Sequence, residues 1–301
     1  MQKKLPVERV FPLRKPVWLK TPLLQGQKLF HIKRDLRIKK LFTVCEEAKC
    51  PNMTECWNDG TATFMILGET CTRACRFCHV NTGNPRGWLD EAEPQKITNA
   101  IKTMGLHYVV MTMVDRDDLV DGGAEHIFRI VKEIRRSLPS LPIELLGGDF
   151  QGDFYSIDKV LESGLNVFAH NLETVQRLSP RVRDGRANYR RSLDILDHVK
   201  KSKQTKTNYV YTKTGIMLGL GESDEEVIEC MKDMRKFRID FLTIGQYLQP
   251  TKRHLSVKRF VSPEDFDKFK DIAIDLGFLG VSSGPLVRSS YQARQFYEEV
   301  Q

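Results

Sequence analysis

Residues 61–80 read TATFMILGETCTRACRFCHV. The first seven, 61–67, are an unbroken run of the kind that makes a buried strand. A loop with Cys71, Cys75 and Cys78 follows at once, at spacings of four and three. Three thiolates in one short loop can converge on a compact centre. A structural zinc site wants four protein ligands. His79 is the nearest candidate for the fourth, but it directly follows Cys78, and adjacent residues rarely point at one metal. A four-iron cluster tolerates three protein ligands when something else caps the last iron.

The strand opens a long alternation. Helical spacing with a glycine stop runs over 93–105, and 107–114 reads as a second strand. Helix and strand then alternate over 123–138, 143–147, 155–164, 165–171, 189–201, 211–220, 223–237, 240–247 and 262–277. Ser223 with Glu226 makes a capping box, and Ser262 caps a helix with Pro263 at its first position. Some six strand–helix units imply a parallel sheet. A complete eightfold barrel takes about 250 residues. The reading is therefore α/β: a partial, open parallel (β/α)6 barrel, with N- and C-terminal extensions over its mouth. In such barrels the chemistry collects where strands end, so the Cys71 loop belongs at the mouth.

The division expected is an extension at 1–60, the barrel core at 61–283 and a terminal segment at 284–301. Residues 1–40 are basic and proline-rich, an arm laid on something else. Residues 41–60 carry a second cysteine group, Cys45, Cys50 and Cys56, again three ligands but spaced C-x4-C-x5-C. The seventh cysteine, Cys230, falls mid-helix among apolar residues and reads as core. An odd, clustered cysteine count suits metal binding in a reducing compartment better than disulfides. No apolar run approaches the roughly twenty residues of a membrane span, and the first twenty lack the apolar core of a secretory signal. The expectation is a cytoplasmic protein with no membrane contact. The net charge of +8 suits solubility or an acidic partner, nucleic acid or protein.

C-x3-C-x2-C, with Phe77 just before its third cysteine, resembles the radical S-adenosylmethionine (SAM) superfamily. That resemblance implies a [4Fe-4S] cluster on Cys71, Cys75 and Cys78, whose open iron is chelated by the amino and carboxylate groups of SAM. One electron from the reduced cluster then cleaves SAM to a 5′-deoxyadenosyl radical; the cofactor does the hard chemistry. The second group is more specific. CEEAKCPNMTEC (45–56), with fifteen residues from Cys56 to Cys71, resembles lipoyl synthases. So do DRDDLVDGGA (115–124), NLETV (171–175), YRRSL (189–193), TKTGIMLGLGE (212–222), LTIGQYLQPT (242–251) and GPLVRSSY (284–291). The likeness spans residues 41–295.

That family implies an auxiliary [4Fe-4S] cluster on Cys45, Cys50 and Cys56, with Ser290 of R-S-S-Y as fourth ligand. Read without the resemblance, Ser289 and Ser290 are a helix start. Serine oxygen is a poorer match for iron than thiolate, which suits a cluster that must come apart. The family also implies that Asn171 and Glu173 bind the ribose and amino acid end of SAM and that Arg183 pairs with its carboxylate. On the residues alone, Asn171 and Glu173 read as a helix cap and first turn. DRDD (115–118) reads either as a solvated turn or as facing SAM or substrate. GLGE (219–222) reads as a glycine turn, and His170 and His254 as structural or surface residues. Two stretches depart from the family pattern: Met113 stands where serine is usual, and Gly147-Gly148 where isoleucine–proline is usual.

The activity implied is sulfur insertion at C6 and C8 of an octanoyl chain held on a lysine of a lipoyl carrier domain. The sulfur comes from the auxiliary cluster, and two SAM are spent. Implied partners are 2-oxoacid dehydrogenase E2 subunits and the glycine cleavage H protein, an electron donor such as ferredoxin or flavodoxin, and an iron–sulfur carrier that rebuilds the cluster. Lipoyl domains tend to be acidic, which gives the +8 charge a use. A radical SAM enzyme that thiolates RNA is the first rival, but no basic, aromatic-studded module for gripping single strands is visible. No nucleic acid partner is therefore expected. A plain electron carrier is the second rival, and it has no use for two incompletely ligated clusters.

Overall fold

The computed structural model describes residues 14–20, 33–34, 36–39, 41–47, 50, 52–202 and 209–300. Most of the arm read at 1–40 lies outside them. Thr61–Ile66 forms a strand, β2, buried along its whole length. It pairs in parallel with β5 (Tyr108–Met113) on one side and antiparallel with the two-residue β1 (Phe42–Thr43) on the other. Parallel pairing continues through β6 (Ile143–Leu146), β7 (Val167–Ala169), β8 (Tyr211–Leu218), β9 (Phe241–Gln246) and β10 (Gly280–Gly284). The order is β1-β2-β5-β6-β7-β8-β9-β10. Among the described residues β10 pairs with β9 alone, so the barrel stays open.

β2 and β5 to β9 are each followed by a helix before the next barrel strand, the six units expected. The helices bury one stripe each on the sheet. Ile97, Ala100 and Ile101 do so from Glu93–Met104. Ile127, Ile130, Val131 and Ile134 do so from Ala124–Ser137. Ser223 and Ser262 cap their helices as expected, the first in a capping box with Glu226.

The placement of the C-terminal extension differs from expectation. The C-terminal helix Ala293–Glu298 does not cover the mouth. Phe296 and Tyr297 pack on Val167, Tyr211 and Phe241, the first residues of β7, β8 and β9. Ala293 packs on Tyr108, the first residue of β5. Those strand ends are apolar and need cover, and the helix supplies it at the end opposite the mouth. Residues 285–292 reach it by packing on β9 and on the segment that precedes Met53. The Val287 carbonyl packs on Gly245 of β9, and Asn52 Nδ2 donates to the Leu286 carbonyl at 2.8 Å.

Beneath that helix lies a buried ion pair. Lys213 Nζ is 2.9 and 3.1 Å from the two oxygens of Glu144, and Tyr108 Oη donates to Glu144 at 2.9 Å. Both charged side chains are 2% exposed. Breaking such a pair strands a buried charge, at a cost of about 3–5 kcal/mol. Glu144→Gln should lose that much in urea unfolding at pH 7. The apolar pair Glu144→Leu with Lys213→Met should recover most of it. A loss below about 1 kcal/mol for the single change, the size of an exposed pair, would contradict this account.

Candidate active site

The cysteine loop closes on itself. β3 (Thr70–Cys71) pairs with β4 (Asn81–Thr82), Cys71 opposite Thr82, and the Cys78 N–H donates to the Cys75 carbonyl at 3.1 Å. Loops after β5, β7 and β9 hold it from outside. Thr72 N donates to Asp115 O, Arg76 N to Val182 O and His254 Nε2 to Cys78 O, each at 2.9 Å. The Asp184 N–H points at Cys75 Sγ, 3.3 Å away.

Arg73, between the first two cysteines, is the anchor that the sequence reading missed. Its guanidinium is 2.7 Å from Asp117, 2.6 Å from Asp149 and 3.6 Å from Asp115, with its side chain 3% exposed. It thus ties the loop to the ends of β5 and β6. The three carboxylates share it unequally. Burial would raise Asp149, but Arg73 outweighs it and holds the group down at about 2. Asp115 keeps the weakest share. Burial, with Asp149 and Asp117 nearby, raises it to about 6, and it lies 4.0 Å from Cys71 Sγ.

Burial also pushes Cys75 up to about 12 and Cys78 up to about 11. The neighbouring cysteine adds to each shift, so the thiols sense one another. Such a set stays protonated alone and ionises when a cationic centre is supplied. Among the described residues, no three His, Cys, Asp or Glu side chains gather about one point as a single ion requires. Three soft thiolate donors in one loop are the donor chemistry that iron–sulfur centres take. His79 is exposed and tilts against His254 at 5.7 Å.

Asn171, Glu173 and Arg183 come together at the end of β7. The helix-cap reading of the first two fails: residues 171–178 are not helical, and the next helix is Ser179–Val182. Glu173 instead takes φ 68° and bridges to Ile216 of β8. A non-glycine residue held there is strained, and such strain collects at functional sites. Burial raises its carboxyl, while Arg183 and a hydrogen bond from Asn171 pull it back. Glu173 also contributes to the raised values of Cys75 and Cys78, so it faces the loop. Gly215 leaves the room: a Cβ there would lie 2.6 Å from Thr243 Oγ1 and 3.0 Å from Asn171 Oδ1.

Arg183 Nη1 donates to Ser192 Oγ, which also meets His170 Nε2, both at 2.9 Å. His170 Nδ1 meets the Gly147 carbonyl at 2.8 Å, and burial lowers its pKa to about 4. The ring is neutral and structural, as expected. Cys230 is core, as expected, with Tyr189 Oη donating to it at 3.3 Å. GLGE is the glycine turn expected, with Glu222 accepting from Gly219 N and Leu220 N.

The two departures prove to be neighbours. A Cβ on Gly148 would lie 2.7 Å from Asp115 Oδ1 and 3.3 Å from Met113 Cε. Met113 lies in space that a side chain at 148 would crowd, whereas Gly147 faces Phe168 instead.

The second cysteine group lies elsewhere, against the first half of β2. Cys45, Cys50 and Cys56 line one cavity with Thr63, Arg288, Ser290 and Tyr291. Thr63 Oγ1 and Ser290 Oγ are 2.9 Å apart. Ser290 lines the cavity and Ser289 does not. The helix-start reading of these serines fails, because the N-cap is Gln292 at φ 55°. Burial, then Cys50 and Cys45, push Cys56 up to about 12. Arg288 is a further residue that the sequence reading passed over, although it stands in the R-S-S-Y motif. Its positive charge tempers the raised Cys50.

The pattern of the Radical SAM superfamily matches residues 65–234, and that of the N-terminal domain of lipoyl synthase matches residues 1–50. The chain is 51% identical to a lipoyl synthase of Ectopseudomonas mendocina, over 95% of this chain and 80% of that protein. It is 50% identical to a mitochondrial lipoyl synthase of Candida tropicalis, over 99% of this chain and 80% of that protein. Among solved structures it resembles the FeFe-hydrogenase maturase HydG of Carboxydothermus hydrogenoformans, at TM-score 0.56 and 12% identity over 91% of this chain and 83% of that one. It also resembles the radical SAM enzyme coproporphyrinogen III oxidase of Escherichia coli, at TM-score 0.53 and 12% identity over 79% and 58%. At that identity the structures speak for the fold alone.

Proposed function

The chain belongs to the lipoyl synthase family of the radical SAM superfamily, enzymes that insert sulfur, and from that premise we propose how its residues divide the work. Cys71, Cys75 and Cys78 hold one [4Fe-4S] cluster. Cys45, Cys50, Cys56 and Ser290 hold a second, which is consumed as the sulfur source. When bound, the first cluster and SAM supply the radical that takes hydrogen from C6 and C8 of an octanoyl-lysine arm.

The protein's own part is positioning and exclusion. Arg73 and its three carboxylates keep the cysteine loop rigid. Arg183 meets the carboxylate of SAM, and Glu173 its amino group, with Asn171 orienting Glu173; charge-assisted pairs of this kind fix geometry well. Arg288 offsets the negative charge gathered on the auxiliary cysteines. On this reading the chain divides into an extension at 1–60, a barrel core at 61–283 and a terminal segment at 284–301.

The observation that carries this reading is the auxiliary cavity. It brings Ser290 to three cysteines more than 230 positions away in the chain. Neither RNA thiolation nor plain electron carriage is retained, since half the chain's residues are shared with lipoyl synthases. The partners are lipoyl carrier domains, a low-potential electron donor and an iron–sulfur carrier. Among the described residues no helix is long and apolar enough to cross a membrane. The free cysteines call for a reducing compartment; the cytoplasm is one, and the mitochondrion, named for the Candida tropicalis relative, is another.

Ser290 tests the assignment. Ser290→Cys should still assemble the auxiliary cluster, with iron content at or above the parent's, yet insert sulfur poorly because the departing iron is held by a softer ligand. Ser290→Ala should lower iron content and sulfur insertion together. Ser289→Ala should leave both near the parent's. Equal sulfur insertion by Ser290→Cys and the parent would end the weak-ligand argument. A larger defect at Ser289 would show that the wrong serine was chosen.

A further inference from the structure

We propose that the outer face of the cysteine loop is the docking surface for an acidic, low-potential one-electron carrier protein. This rests on the reading of Cys71, Cys75 and Cys78 as the holders of a redox cluster. The surface is built from three loops. Arg76 directly follows Cys75, and its Nη1 donates to the Arg181 carbonyl at 3.4 Å. Leu255 N donates back to the Arg76 carbonyl at 3.3 Å. His254 Nε2 is 2.9 Å from the Cys78 carbonyl. Arg76, Arg181, Lys252 and Arg253 therefore gather over the second and third cysteines, and all four are exposed.

Their charges are uncommitted. Among the described residues none of the four has a carboxylate within ion-pair distance. Asp184, two residues after Val182, which accepts from Arg76 N, is taken by Arg186 at 2.9 Å and by Ala74 N at 2.8 Å. Elsewhere on the surface exposed cations are commonly paired, as in Arg129 with Glu91, Arg177 with Glu226 and Arg294 with Glu298. Four unpaired cations over one loop form a field that steers an acidic partner.

Two acidic partners compete for this face, and reach separates them. The octanoyl-lysine arm is long, so its carrier domain has no need to touch the loop. Electron transfer falls steeply with distance, and a protein seated on Arg76 and Arg181 stands one residue from a cluster ligand. In the step itself the carrier loses one electron and the centre held by the three cysteines gains it. No bond forms or breaks.

The test uses the full chain with both clusters assembled under anaerobic conditions. The variants are Arg76→Glu with Arg181→Glu, and Lys252→Glu with Arg253→Glu. Reduction of the cluster is followed by its visible absorbance, with reduced flavodoxin as the acidic carrier and photoexcited deazaflavin as a small neutral reductant. At low salt, flavodoxin should reduce each variant about tenfold more slowly than the parent. The gap should close as salt shortens the reach of the charges. Deazaflavin-driven reduction, SAM cleavage and sulfur insertion into an intact lipoyl domain should stay within about twofold of the parent, the scatter of exposed substitutions. Unchanged flavodoxin rates would overturn the proposal. So would an equal loss of deazaflavin-driven insertion into the lipoyl domain, which would assign the face to the carrier domain. Deazaflavin-driven SAM cleavage by the parent checks the radical SAM reading by itself, so its failure is told apart from failure of the docking proposal.

Discussion

Cys75→Ala should reduce 5′-deoxyadenosine formation to the background of the chain stripped of iron. Three thiolates are the fewest that hold a four-iron cluster while leaving one iron for SAM. Removing one exposes a second iron and loosens the rest. Cys75 is also tied to the loop after β7 through the Asp184 N–H at 3.3 Å, so alanine removes that acceptor as well. The loop's other anchors do not depend on this sulfur. Arg73 keeps Asp117 and Asp149, so the fold should survive and circular dichroism should match the parent. The assay is methionine and 5′-deoxyadenosine released under a strong reductant after anaerobic reconstitution. Cleavage at the parent's rate would refute the assignment of this triad.

Cys45→Ala should do the opposite. SAM cleavage should continue at a substantial rate while lipoyl product disappears. Cys45 is buried beside Thr63, and burial raises its thiol. It shares a cavity with Cys50, Cys56 and Ser290 and with none of the first triad. Losing it should remove about half of the bound iron, since each cluster needs its own ligand set. Truncating one small buried side chain costs stability on the order of 1 kcal/mol, too little to unfold a chain of this size. Lipoyl product from a Cys45→Ala protein would mean that the sulfur comes from elsewhere.

The barrel was legible because its units repeat a simple physical pattern: apolar runs, helical stripes and serine caps at fixed spacing. β10 was not. Its sequence GVSSG is short of apolar side chains, and what makes it a strand is the parallel pairing with β9. β1 has only two residues and depends likewise on its neighbour. Ser289 and Ser290 read as caps because their chemistry suits a cap. The chain enters the last helix through Gln292, and Ser290 turns instead toward Thr63.

The site divides in the same way. Cysteines announce themselves by local spacing. Partners distant in sequence do not: Arg73 meets Asp117 and Asp149 across 44 and 76 positions. Met113 and Gly148 were visible one at a time, but their shared volume exists only in the fold. The C-terminal helix went to the far end of the barrel because the strand ends there are apolar, a property that shows only once the strands are aligned.

On the function proposed above, the second triad with Ser290 supplies the sulfur and the first triad does not. The direct measurement is a single turnover of chain reconstituted with iron and sulfide carrying the heavy isotope ³⁴S, with natural-abundance sulfide removed beforehand. The lipoyl product on an octanoyl-lysine peptide is weighed by mass spectrometry, for the parent and for Cys45→Ala. The account predicts that the parent's product carries ³⁴S at both C6 and C8, and that Cys45→Ala cleaves SAM yet yields no labelled product. Unlabelled sulfur in the parent's product, or labelled product from Cys45→Ala, would contradict it.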